Sequence, residues 1–481
     1  MDESERQSEL SRLITRQLLD HTVERALGYL ESLPERRVGA REGVEALRRI
    51  LGGPMPESGE EAIEVVRRLA DGAEPGLVAS AGPRYFGFVT GGSLPAALAA
   101  DWLASAWDQN GALSVMSPAL AVVEEEAGRW LLDLFGLPQT ASVGFTTGAQ
   151  MASFVGLAAA RHAVLAREGW DVERRGLAGA PVIRLFVGEE SHVTVRVALR
   201  MLGLGDETAR GVAADAQGRM RPEALEAALA AGSGPAIVCA EAGNVGSGAF
   251  DPLAEIAEIC RRHGAWLHVD GAFGLWAAAS PRFRELLSGL QWADSWTTDA
   301  HKWLNVPYDC GIAIVADAEA HHAAMTSSAS YLIRQEGDER DGFDWVPEAS
   351  RRGRAFTVWA ALAHLGRRGV AELVERCCDL ASRMAERLAA HGGIEIMNDV
   401  VLNQVLVRFL GDSDESSDRA TDEVTRLLQA EGTCWAGGAT WRGRRVLRIS
   451  VSNWSTTEAD IDRSAEAILG IWERMGGGAD A

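Results

Sequence analysis

Lys302 lies in the run TTDAHKWLNVPYDCG, residues 297 to 311, with Trp303, Leu304 and Val306 close behind it. An ammonium group among side chains of that kind is costly unless it is paired or deprotonated. A deprotonated lysine can capture a carbonyl carbon, so the position reads as a reagent. Thirty-two residues upstream, WLHVDGAFG places Asp270 at the end of an apolar run, where its carboxylate would need a positive partner. Earlier still, GFTTGAQMASF is a short polar loop that opens a helical pattern. Its Thr146, Thr147 and Gly148 would aim backbone N–H groups and a helix N-terminus at an anion. His192, in GEESHVTVRVALR, offers an imidazole face just before another helix. Anion cradle, buried carboxylate and reactive amine match the phosphate, the pyridine nitrogen and the aldehyde of pyridoxal phosphate.

These groups need a scaffold, and the chain between about 120 and 320 supplies one. Short runs rich in β-branched and apolar residues, PVIRLFVG, AIVCAEA, AWLHVDGA, DSWTTDA and CGIAIVA, alternate with helical patterns. One of the latter, DPLAEIAEICRRHG, is predicted to start with Asp251 as N-cap and Pro252 at the first helical position, and to stop at Gly264. The alternation predicts βαβ units and a largely parallel sheet, with ligands beyond the carboxyl ends of its strands. Before it, residues 1 to about 80 are helical in pattern, with Val23, Ala26, Leu27 and Leu30 on one face. After it, IEIMN, QVLVRFL and RRVLRISVS interleave with helices to make an α+β layer, the last helix opened by a capping box from Ser455 to Glu458. The acidic run GDSDESSD reads as a solvated hairpin or linker.

Composition narrows the function classes. Of 481 residues, 68 are acidic and 47 basic, a net charge of −21 that argues against a nucleic-acid partner. The longest apolar stretch is broken by Asp101, so no membrane span is expected. The N-terminus MDESERQSEL is acidic and polar, unlike a targeting signal. Six scattered cysteines lack metal-ligand spacing and read as reduced, buried thiols; a cytoplasmic location and no metal site are the corresponding expectations.

The stretches PRYFGF, FTTGAQMASFVGLAAAR, ESHVTVRVAL, AGNVGSGAFDPL, WLHVDGAFG and DAHKWLNVPYDCG, in this order, resemble the group II pyridoxal-phosphate-dependent decarboxylases. That family includes aromatic L-amino acid, histidine and glutamate decarboxylases, and the likeness runs from residue 20 to 470. It implies an α/β protein of type I aminotransferase-like fold. A large cofactor-binding domain over 81–370 would hold a mostly parallel seven-stranded sheet, and a smaller α+β domain would cover 371–481. An N-terminal helical segment, 1–80, would pack on a partner subunit in a homodimer.

Carried over residue by residue, the resemblance makes Lys302 the Schiff-base lysine, Asp270 the pyridinium partner and His192 the ring-stacking histidine. Thr147, Gly148, Ala149 and Gln150 fall at the phosphate; Asn244, Ala272, Asp299 and His301 fall at further cofactor contacts. Tyr331 aligns with a loop tyrosine that protonates the α-carbon, and Phe88, Val89, Thr90, Asn110 and Ala112 fall in the substrate pocket. There are departures. Gln150 and Met151 replace a usual Ser and Glu, Asn244 and Val245 replace a Thr pair, and Asp299 replaces an Asn beside the phosphate. An ionised Asp299 would repel that phosphate unless it turns away or is hydrogen-bonded by nearby threonines. Arg448 reads either as a structural pair or as a clamp for a substrate carboxylate. The implied activity is decarboxylation of an L-amino acid to its amine. The alternatives are another pyridoxal enzyme of the same fold (aminotransferase, lyase or aldehyde-forming oxidative deaminase) or a non-catalytic module. Phe in place of the loop tyrosine accompanies the aldehyde-forming activity, so Tyr331 favours simple decarboxylation.

Overall fold

The structure, a computed structural model, describes residues 3–326 and 340–477. Its centre is a seven-stranded sheet made of β1 (Ser142–Thr146), β2 (Arg184–Gly188), β3 (Ala209–Val212), β4 (Ala236–Glu241), β5 (Trp266–Asp270), β6 (Ser295–Asp299) and β7 (Gly311–Val315). Their order across the sheet is β1-β7-β6-β5-β4-β2-β3. Only β7 runs against its neighbours β1 and β6; the pairs β2–β3, β2–β4, β4–β5 and β5–β6 are parallel. β4 to β7 are buried along their whole length, because helices cover both faces. Every apolar run expected as a strand in this region is one. β1 and β3 went unread, since SVGFT merges into the polar loop after it and ARGV is half polar.

A second sheet, in the order β10-β11-β9-β8, contains β8 (Ile394–Ile396), β9 (Gln404–Phe409), β10 (Gly437–Trp441) and β11 (Arg444–Ser450). It is antiparallel throughout. The helix Ala355–Ala389 leads into it and is broken at Gly366, whose φ of 61° suits a residue without a Cβ. The break lies four residues before the expected boundary at 370. The N-terminal segment forms helices Glu3–Ser32, Val44–Leu51 and Ala62–Ala73. The loop between its first two helices docks on the small domain, where Val38 N–H donates to Gly432 O and Arg37 to the carbonyls of Ala430 and Glu431.

Three local expectations change. Asp251 does not cap: the helix begins at Leu253 behind Pro252, and the buried Asp251 carboxylate accepts Met220 N–H at 2.7 Å and Glu241 N–H at 2.8 Å. That carboxylate satisfies the chain beside β4, a tertiary use that outcompetes a local cap. The last helix opens two residues later than expected, with the capping box formed by Thr457 and Asp460. The acidic run is no linker; Ser413 and Ser416 cap the helix Asp414–Glu431, whose first turn holds Asp414 and Glu415 at the positive end of the helix dipole. All six cysteines are buried and unpaired, as expected.

Two core imidazoles set an acid limit. His268, bonded to Ser295 Oγ at 2.8 Å, and His321, between Ser142 Oγ and Trp345 O, are pushed by burial down to about 3 from 6.5. A depressed histidine contributes stability that is complete above its unfolded value and drains away as the pH falls toward the folded one. Between about pH 7 and about pH 5 each should remove about 2 kcal/mol of unfolding free energy. Urea unfolding at the two pH values measures the loss, and His268→Leu should roughly halve it.

Candidate active site

β7 opposes both β1 and β6, so β1, β2, β4, β5 and β6 all point their carboxyl ends at one edge of the sheet. A cavity of about 250 Å³ lies at that edge, lined by Gly148, Ala149, Gln150, His192, Asp270 and Lys302 among others. Each strand therefore delivers one chemical group to one place.

Lys302 follows β6 in a tight turn. Its Nζ is 2.9 Å from Asp299 Oδ2, while Asp299 Oδ1 accepts the Ala149 N–H at 2.6 Å and lies 3.5 Å from His301 Nε2. Asp299 thus faces the cavity and joins the Lys302 amine to the N-terminus of the helix Ala149–Ala166. The nearby threonines do not serve it. Thr298 Oγ1 donates to Ala272 O, and Thr297 Oγ1 lies 3.5 Å from Asp270 Oδ1. In the first turn of that helix, the N–H groups of Gln150 and Met151 meet no acceptor among the described residues. His301 Nδ1 accepts Cys310 N–H at 3.1 Å, which fixes the ring under Tyr308.

Asp270 closes β5, buried, with Oδ1 accepting the Ala272 N–H at 3.0 Å. Burial pushes its carboxyl above the usual range, and the charges of Lys302 and His192 pull it back. Across the ladder it pairs with Glu241, a carboxylate that sequence reading missed although it interrupts the apolar run AIVCAEA. Glu241 lines the cavity, accepts His192 N–H at 2.8 Å and accepts Asn244 Nδ2–H at 3.0 Å. Burial, reinforced by Asp251 and Asp270, raises it well above an ordinary glutamate. A single charged residue at the last position of a buried strand was the available signal.

Other expected site residues sit differently. Asn244 spends Oδ1 on its own turn, accepting from Gly246 and Ser247 N–H, and Nδ2 on Glu190 O and Glu241, and Val245 lines the cavity in its place. Thr147 is not among the lining residues, although Gly148, Ala149, Gln150, Ala272, Asp299 and His301 are. Phe88, Val89 and Thr90 lie outside the cavity of this chain; Phe88 stacks on Trp435, and its carbonyl receives Arg448 Nη2 at 3.4 Å. Asn110 Oδ1 accepts Ala112 N–H at 3.0 Å, and Ala112 packs with Leu113 and Phe343 away from the cavity. Tyr331 lies outside the described residues.

The lysine turn is pinned from two sides by Asn305, buried and held at φ 56°. Its Oδ1 accepts Gly92 N–H at 2.6 Å and Trp454 N–H at 3.0 Å, and its Nδ2 donates to Trp303 O and Ser452 O. Gly91 lies so close that a Cβ there would stand 1.9 Å from the Lys302 carbonyl oxygen. Only glycine fits.

This donor set suits pyridoxal phosphate. The unmet N–H groups at a helix N-terminus are the right chemistry for its phosphate, Asp270 for its ring nitrogen, His192 for a ring face and Lys302 for its aldehyde. The profile described as "Pyridoxal-dependent decarboxylase conserved domain" matches residues 45–410. The chain is 31% identical over 361 residues to acidic amino acid decarboxylase GADL1 of Bos taurus, spanning 73% of this chain and 68% of that protein. It is 29% identical over 451 residues to cysteine sulfinic acid decarboxylase of Homo sapiens, 90% of each. Oryza sativa TDC, solved with PLP and tryptamine, superposes with a TM-score of 0.90 at 26% identity, over 96% of this chain and 98% of that one. Mouse CSAD superposes at 0.86 and 25% identity, over 94% and 98%.

Proposed function

The chain belongs to the pyridoxal-dependent decarboxylase family and is a pyridoxal-phosphate-dependent enzyme that converts an L-amino acid to its amine and CO2; from that premise we propose which residues act and which substrates they accept. Bound pyridoxal phosphate supplies the electron sink for the pair released when the C–COO⁻ bond breaks. Lys302 provides the amine that would hold the cofactor through its aldehyde. Asp270 would hold a proton at the ring nitrogen, His192 would cover one ring face, and the helix N-terminus at Ala149 to Met151 would hold the phosphate. Tyr331 returns a proton to the α-carbon.

The proposed substrates are L-amino acids with an acidic side chain. The observation that carries this is Arg448. Its guanidinium is half-buried, acts electrostatically on His192, donates to the carbonyl of the cavity-lining Val245 at 3.2 Å and to Phe88 O at 3.4 Å, and forms no ion pair among the described residues. A cation clamped on the departing carboxylate would stabilise the ground state, so it serves better on a side-chain acid. The names of the two curated relatives point the same way. CO2 release from a panel holding aspartate, glutamate and cysteine sulfinate against tryptophan, tyrosine and histidine tests it. Arg448→Gln should raise KM for the acidic substrate by about 10- to 100-fold, the loss of a charge-assisted hydrogen bond, with kcat changed much less. An aromatic preference indifferent to Arg448 would overturn the assignment.

We further propose a cytoplasmic homodimer. The helix Glu3–Ser32 leaves Leu13, Leu19, Val23 and Leu27 exposed, and an apolar stripe of that length calls for a cover that a second copy would provide. The buried reduced cysteines agree with the location.

A further inference from the structure

His192 is tethered through one ring nitrogen. It stands at the N-cap of the helix Val193–Met201, and its Nδ1 receives the Thr194 main-chain N–H at 3.4 Å. Thr194 Oγ1 lies 2.6 Å from the same atom. A main-chain N–H can only donate, so Nδ1 must carry its lone pair toward Thr194, and the hydroxyl donates there as well. In a neutral imidazole the proton is then on Nε2, which has no hydrogen-bond partner among the described residues. The backbone of His192 is fixed independently by Glu241 Oε1.

We propose that Thr194 is a positioning residue that locks His192 in the Nε2-protonated neutral tautomer, so that the ring presents an N–H donor, not an acceptor, to a carboxylate oxygen of the substrate. The proposal rests on the assignment of His192 to the active site made above. A donor on that nitrogen can orient a carboxylate without placing a full positive charge beside it, which would hold the departing group back. The charged groups acting on the ring are Asp270 from β5, Asp299 from β6, Lys302 beyond it and Arg448 from β11, two of each sign, and burial, the largest influence, favours the neutral ring. Without the Thr194 hydroxyl, the ring keeps only the long main-chain contact and can turn over.

The test is nitrogen and carbon NMR of the holoenzyme labelled in histidine, with His192→Gln used to assign the signal. In the wild type near neutral pH, about 7, the His192 shifts should report a proton on Nε2 and a lone pair on Nδ1. Thr194→Val should give mixed tautomers and lower kcat by about 10-fold at nearly unchanged KM, whereas Thr194→Ser should restore the wild-type spectrum and stay within about twofold in rate. A wild-type proton on Nδ1 overturns the proposal. So does a Thr194→Val enzyme with unchanged tautomer and rate, or a Thr194→Ser enzyme as impaired as the valine variant. Full activity in His192→Gln would instead strike at the role of His192, while the tautomer reading would stand on its own spectrum.

Discussion

Lys302→Ala is expected to abolish turnover, by a factor on the order of 10⁴ or more, as removal of a covalent nucleophile does elsewhere. The variant should also lose the visible absorbance of the bound cofactor while remaining folded, because Nζ is only partly buried and its single ion pair among the described residues is with Asp299. Removing the ammonium strands the buried Asp299 carboxylate with the Ala149 N–H as its main support. A fall of about 1–3 kcal/mol in stability is therefore expected beside the kinetic loss. Absorbance spectra of reconstituted wild type and variant, followed by CO2 release, measure both. Retention of cofactor absorbance and activity would remove Lys302 from the chemistry.

Asp270→Asn has the second largest expected effect. The amide keeps an oxygen for the Ala272 N–H, so the turn survives, but it cannot hold a proton on a pyridine nitrogen by charge. A loss of kcat on the order of 10² to 10³ follows, comparable to deleting a preorganised electrostatic contact. KM should move little, and cofactor should still bind through Lys302. Asp270→Glu is expected to recover part of the rate. Steady-state kinetics of the two variants separate charge from geometry, and an Asp270→Asn enzyme at wild-type kcat would refute the role.

Much of this was readable before the fold was. β2 and β4 to β7 are apolar runs long enough to declare themselves, and burial on both faces is why they lack alternation. Asp270, Lys302 and the loop before Ala149 were legible because charge or glycine follows directly on such a run. What stayed hidden depends on contacts across the chain. Glu241 reads as an ordinary acid until its partners, His192 N–H and Asn244, are in place. Asn244 reads as a ligand contact until its polar atoms are claimed, Oδ1 by its own turn and Nδ2 by Glu190 O and Glu241. Asp299 was expected either to turn away or to be answered by nearby threonines; it faces the cavity and is answered instead by an amide 150 residues away.

Asn305 also couples folding to loading. One amide side chain ties the lysine turn to the loop at Gly92 on one side and to Ser452 and Trp454 on the other. The geometry of the amine is therefore conditional on the small domain being docked. By thermodynamic linkage the dependence runs both ways: a molecule that bonds to Lys302 tightens the hold on residues 452–454, and a small domain that comes loose lowers the affinity at the lysine. Cofactor titration and melting of the C-terminal sheet are two readings of one equilibrium.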